Sequence, residues 1–177
     1  MGPNHADEVL RVLPLPTTVL CDVRTTLADA ARLFGPQKGA TPATVPVLER
    51  RLAAMEELAP YAGLPGAGAA GGLGAALAAL GARLVEGAPT VLDLIGFDEL
   101  LSGCDLVVTG EGQVDRTTAE GKAPGEVARR CVAAGVRCVV FGGHVVEPVE
   151  GTETVSLSGD PTSAETDLEQ LGRRLSL

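Results

Sequence analysis

Of the 14 basic residues only Lys38 and Lys122 are lysines, and both stand in glycine-flanked turns, GPQKGA and EGKAPG. An ammonium on a flexible stem, beside glycine backbone whose N–H groups can point inward, suits a phosphate or a carboxylate. Lys122 closes the segment GEGQVDRTTAEGK, residues 110–122, which also carries Glu111 and Asp115. Two carboxylates and one ammonium in a single strand-to-helix connection can converge on a small ligand as general base, magnesium ligand or substrate-orienting group. His144 follows Gly142 and Gly143 at the end of an apolar run, where a neutral imidazole can act as base or acid.

Glycines mark the remaining candidates. The stretch PGAGAAGGLGAALAAL, residues 65–80, reads as a backbone loop that continues into a tightly packed helix of small residues. Gly68, Gly71 and Gly72 there, with Gly110 and Gly112 in the acidic segment, are expected to let backbone approach a substrate; Asp22 and Lys38 complete the expected binding set. No GxxxxGK[ST] phosphate loop occurs, and GAGAAGG is only a loose relative of the dinucleotide fingerprint GxGxxG. No spacing of the four cysteines suits zinc, and no metal site is expected from the residues themselves.

Such groups need elements to hold them. The run TTVLCDV, residues 17–23, has the apolar character of a buried strand ending on a carboxylate, Asp22. Residues 43–59 place Val45, Leu48, Leu52, Met55 and Leu58 at helical spacing, with Thr41 as the expected cap. A strand is expected near 90–95, a helix near 97–102, and a strand over 104–112 that runs into a glycine turn. Helical periodicity over 123–134 precedes the strand RCVVFGG, residues 137–143; a short strand in TETVSL and a terminal helix from residue 164 follow. Apolar strands alternating with helices predict an α/β fold with a mostly parallel sheet and flanking helices, whose ligands bind at the carboxyl ends of the strands. The length predicts one compact unit over 1–177, with a possible boundary between two small lobes near 63–74.

Composition narrows the partners. Hydrophobic residues at 45% and charged residues at 21% describe a folded domain, and a net charge of -9 repels nucleic acid and anionic membranes. The start MGPNHADEVL is neither basic nor apolar, no run approaches a membrane span, and His5 draws no functional reading. Cys21, Cys104, Cys131 and Cys138 lie in or beside apolar stretches and are expected as buried free thiols in a reducing cytoplasm. The expected partner is a small anionic or oxygenated metabolite, with no nucleic acid and no membrane.

Four motifs in order, CDV at 21–23, FGPQKGAT at 34–41, PGAGAAGGLGAAL at 65–77 and TGEGQVDRTTAEGKAPGEVARR at 109–130, resemble glycerate kinases of the bacterial type I group. The resemblance runs from about residue 17 to about residue 143 and implies a glycerate-kinase-like fold in shortened form. It also implies an ATP-dependent phosphoryl transfer to a small hydroxy acid in a cleft between two α/β domains, with magnesium and acidic residues near the phosphates. On that reading Asp22, Lys38, Glu111, Asp115 and Lys122 face the cleft. Members of that family are roughly twice as long and begin with a lobe bearing motifs similar to DSFKGS and ADGGEGT, which this sequence lacks.

Three functions follow. The leading expectation is a repurposed enzyme whose remnant cleft performs elimination, isomerisation or ring closure by acid/base chemistry of Asp115, Glu111 or His144 with Lys122, and needs no cofactor. The alternative is glycerate kinase itself, using magnesium and ATP, completed by a complementing lobe on a partner chain or by a homodimer. The third is a non-catalytic binding protein that keeps the cleft for a small molecule.

Overall fold

The computed structural model describes residues 12–119 and 121–175; His5, Glu120 and the last two residues lie outside it. The chain divides between Gly87 and Ala88 into two compact units, and residues 63–74 fall inside the first.

In the first unit strand β1 (Thr18–Cys21) leads to helix α1 (Leu27–Phe34), a 3-10 turn (Pro36–Lys38) and helix α2 (Val45–Ala53). A 3-10 segment (Glu56–Tyr61), a glycine-rich loop with the 3-10 turn Ala69–Gly71, helix α3 (Leu73–Ala79) and strand β2 (Arg83–Glu86) follow. β1 and β2 pair in parallel, Thr18 opposite Arg83 and Cys21 opposite Glu86. The core is built from small side chains: Leu27, Ala67 and Ala75 are buried, with Leu52, Leu58 and Tyr61 packed on them. α1 buries Leu27, Ala30 and Ala31, a three-and-four spacing on one face that two alanines conceal in the sequence. The helix expected over 43–59 stops at Ala53, and Pro60 sits inside the 3-10 segment beyond it, where its missing N–H and fixed φ preclude a regular α-helix.

Helix α4 (Gly87–Leu94) corrects the expected strand near 90–95. A short apolar run such as VLDLI does not distinguish strand from buried helix, and here Pro89 lies in the first turn, where proline is tolerated. The strand that sequence reading missed is β2, immediately before it, with only four residues and alternate charged ends.

The second unit continues with α5 (Phe97–Leu101), β3 (Leu106–Val114), a 3-10 turn (Arg116–Thr118), α6 (Ala123–Ala134), β4 (Arg137–Val145), β5 (Glu153–Ser156) and α7 (Ala164–Leu175). Its sheet is parallel throughout in the order β3-β4-β5. The α/β class with a parallel sheet and flanking helices is therefore as read from the sequence. Leu101, Val114, Ala128, Cys131, Cys138 and Val140 form the core between sheet and α6. Val114, Val139 and Val140 are wholly buried, each worth about 1.5–3 kcal/mol by removal of apolar surface from water.

Three of the four cysteines are buried free thiols as expected, whereas Cys104 is exposed in the turn before β3. Burial pushes the Cys138 thiol up to about 12, so it stays protonated and unreactive. Arg130 on α6 is 8% exposed, and its guanidinium donates to Glu126, Asp93, Asp98 and the Pro89 carbonyl, tying α4 and α5 to α6. That network anchors α6, the helix that Lys122 immediately precedes.

Candidate functional site

The structure extends β3 further than the sequence suggests: GEGQ does not turn but continues the ladder, with Glu111 opposite Gly142, Gln113 opposite His144 and Val114 opposite Val145. Gly110 is a packing glycine, since a Cβ there would stand 2.6 Å from the Phe141 ring. Glu111, Gln113 and Asp115 follow at alternate positions, so one face of the strand's carboxyl end delivers all three toward the turn.

Asp115 starts the 3-10 turn. Its carboxylate accepts from the Thr117 N–H at 2.8 Å, the Thr117 hydroxyl at 2.5 Å and the Gln113 amide at 2.8 Å. These bonds, the Thr117 hydroxyl first, hold its carboxyl down to about 2, so Asp115 is ionised throughout the neutral range. Three residues on, the side chain of Thr118 is completely buried. Its hydroxyl accepts from the Asp115 N–H at 3.0 Å and donates to Glu111 Oε1 at 2.5 Å.

The other carboxylate oxygen of Glu111 meets Lys122 Nζ at 3.1 Å. The Glu111 side chain is 18% exposed and that of Lys122 37%, so the pair lies at a rim, neither buried nor free in water. Lys122 occupies the position before α6, and Pro124 in the first turn pre-sets the helix. Gly125 lets that turn close onto the preceding one, because a Cβ there would run into the Thr118 carbonyl oxygen.

Glu111, Asp115 and Lys122 are thus brought together, as their spacing suggests. His144 is exposed on the neighbouring strand beside Gln113. Asp22, exposed after β1, and Lys38, exposed at the end of its 3-10 turn, belong to the first unit, as do Gly68, Gly71 and Gly72. Gly68 is held against the Thr26 carbonyl and its N–H donates to Thr25 O at 2.9 Å, while a Cβ on Gly72 would reach Leu27 Cδ1 at 2.9 Å. Gly71 and Gly112 have open space at the corresponding position. Sequence reading missed Gln113, Thr117 and Thr118; the order Asp-x-Thr-Thr, an N-cap followed at the third position by a side chain that bonds back, is the signal that marks them.

The chemistry on offer is a permanently ionised carboxylate, a second carboxylate oriented from both sides, and an ammonium with two N–H groups beyond the one given to Glu111. Among the described residues no three His, Cys, Asp or Glu side chains converge as a resident metal site would require.

The sequence profile of the glycerate kinase family matches residues 5–174. The chain belongs to the glycerate kinase family. A glycerate kinase of Halalkalibacterium halodurans is 41% identical over 150 residues, covering 79% of this chain and 40% of that protein. The glycerate 2-kinase of Escherichia coli K12 is 43% identical over 138 residues, covering 72% of this chain and 34% of its own length. A crystal structure of a protein provisionally named glycerate kinase 2, from Salmonella typhimurium LT2, superposes with a TM-score of 0.61 at 31% identity, covering 93% of this chain and 48% of that one. The chain therefore spans less than half the length of these relatives.

These matches correct the leading functional expectation. A family match over nearly the whole chain, with identities near 40% to proteins named as glycerate kinases, supports kinase activity and not a lyase or isomerase built on a remnant cleft.

Proposed function

We propose that this chain contributes the acid and ammonium turn of an ATP-dependent glycerate kinase, transferring the γ-phosphoryl group of Mg-ATP to a small hydroxy acid of the glycerate class. The chain matches less than half of its relatives' length, and the reaction needs the remaining part of that fold as well. The observation that carries the reading is the Glu111–Lys122 pair at the carboxyl end of β3, in a chain about two-fifths identical to named glycerate kinases.

In the reaction the acceptor's hydroxyl oxygen forms a bond to the γ-phosphorus, the bond from that phosphorus to the β,γ-bridging oxygen breaks, ADP leaves, and the hydroxyl proton passes to solvent or a base. Such transfers depend on positioning and charge neutralisation more than on covalent help from the protein. Lys122 suits this role: anchored by Glu111, its ammonium offers its two other N–H groups to phosphate or carboxylate oxygens. Asp115 is a poor general base at a pKa of about 2, because efficient bases titrate near the operating pH. Its part is to hold the turn and supply fixed negative charge that keeps the turn's cation in place. Magnesium enters as part of the nucleotide substrate. The reading places the protein in the cytoplasm, where ATP is available and free thiols stay reduced.

The test is phosphorus NMR with Mg-ATP and glycerate, on the chain alone and on the chain co-purified with the part of the Halalkalibacterium relative that it does not match. Phosphoglycerate is expected in one of the two samples and is expected to disappear with Lys122→Ala. Unchanged ATP in both removes the phosphotransfer reading.

A further inference from the structure

We infer that Thr118 is the positioning residue of the site: its hydroxyl sets the orientation of the Glu111 carboxylate and so the place of the Lys122 ammonium. The inference rests on the reading of Lys122 as the phosphate-facing group, and deepens it.

A threonine hydroxyl has one proton to give and two lone pairs to receive. At Thr118 the Asp115 N–H occupies one lone pair at 3.0 Å, and the single proton goes to Glu111 Oε1 at 2.5 Å. With no exposure at Thr118 there is no water to offer an alternative partner, so the hydroxyl cannot rotate away without leaving the Asp115 N–H and its own O–H unpaired. Glu111 Oε1 is thereby fixed, and Oε2 is turned to Lys122 Nζ at 3.1 Å.

Through its backbone Thr118 also packs against the helix that Lys122 precedes. Gly125, in the first turn of α6, packs so closely on the Thr118 carbonyl that any side chain there would have to displace it. The same residue therefore holds the carboxylate by its hydroxyl and the start of the lysine-bearing helix by its main chain. Side chains of similar size without a hydroxyl keep the second function and lose the first.

That separation gives the experiment. The 15N signal of the Lys122 ammonium, slowed in exchange by its ion pair, is recorded at low temperature in the full chain, with Thr118→Ser and Thr118→Val beside it. Serine is expected to retain the signal and valine to lose or broaden it at unchanged global fold. A valine variant that folds and keeps the wild-type ammonium signal overturns the inference. In the unmutated chain the Thr118 hydroxyl proton is expected as a slowly exchanging resonance with a cross-peak to the Glu111 γ-methylene; its absence overturns the inference even if the valine variant does not fold. Mg-ATP added to the wild-type sample separates the two claims. An ammonium signal that follows Thr118 but ignores Mg-ATP, in the completed assembly as well as in the chain alone, upholds the positioning role and removes the phosphotransfer reading.

Discussion

The turn between β3 and α6 and the loop before α3 are both rich in glycine, and they use it in different ways. Around the start of α3 the glycines serve packing alone: a Cβ on Gly68 or Gly74 would run into the Thr26 or Gly66 carbonyl oxygen, and one on Gly66 or Gly72 into the Cys21 or Leu27 side chain. Around Glu111 the packing glycines flank polar side chains that bond to one another. Gly110 clears the Phe141 ring and Gly125 brings the Thr118 main chain against α6, and the result is an ion pair held from two sides. A glycine cluster therefore says that backbone approaches something, and only the neighbouring carboxylates and ammonium say that the something is a ligand.

The largest effect that separates the two regions is chemical. Lys122→Ala in the completed assembly is expected to lower phosphoryl transfer by about 100- to 1000-fold, the usual loss for one charge-stabilising donor, read by phosphoglycerate formation. A smaller loss would shift weight to the first unit and to Lys38.

Next come the packing glycines. Gly125→Ala and Gly68→Ala each place a methyl on a carbonyl oxygen of the main chain, and each is expected to cost about 2–3 kcal/mol in denaturant unfolding. The regions differ in the second readout: the Lys122 ammonium signal is expected to vanish in Gly125→Ala and to survive in Gly68→Ala. Loss in both would mean that the two units respond as one.

Acid sharpens the contrast further. Carboxyls held below their ordinary range are concentrated in the second unit, at Asp115, Glu126, Glu153 and Asp160, against Asp29 in the first. The Asp115 carboxyl at about 2 lies below the roughly 3.9 of an unfolded aspartate, so its stabilising share is complete above the unfolded value and is lost as pH falls through about 2. Melting temperature is expected to drop between pH 4 and pH 2, with amide exchange rising first in the second unit, and Asp115→Asn is expected to flatten that drop. An unchanged slope in Asp115→Asn would show that the Thr117 and Gln113 hydrogen bonds do not prefer the charged form.

Much of this was legible before any coordinates. Long apolar runs that alternate with amphipathic segments identified β3, β4, α6 and α7, because a buried parallel strand must be apolar throughout and its helices must bury one stripe. The convergence of Glu111, Asp115 and Lys122 was legible because twelve residues in one connection have little room to separate them. What could not be read was set by tertiary context. α1 hides its buried face in alanines, β2 is four residues long, and α4 has an apolar run that a strand would also use. Thr118 escaped notice because a threonine in a polar turn is ordinarily solvated, and only its complete burial reveals that its one proton is committed to Glu111.

The smallest effect tests the glycine loop alone. Ala70 is the sole non-glycine among the described residues with positive φ, at φ 50 and ψ 36, inside the 3-10 turn between Gly68 and Gly72. A left-handed alanine costs about 1–2 kcal/mol, and a glycine there would relieve it while gaining freedom in the unfolded chain worth about 0.4–1 kcal/mol in the opposite sense. Ala70→Gly is therefore expected to stabilise the chain by about 0.5 kcal/mol in denaturant unfolding, the net of those two ranges. Ala70 is exposed, so its methyl gives up little packing in the exchange. A loss of stability instead would show that the loop depends on a restrained residue at this position, and that its conformation, unlike that of the Glu111 turn, is held by what the unfolded chain is denied and not by bonds made in the fold.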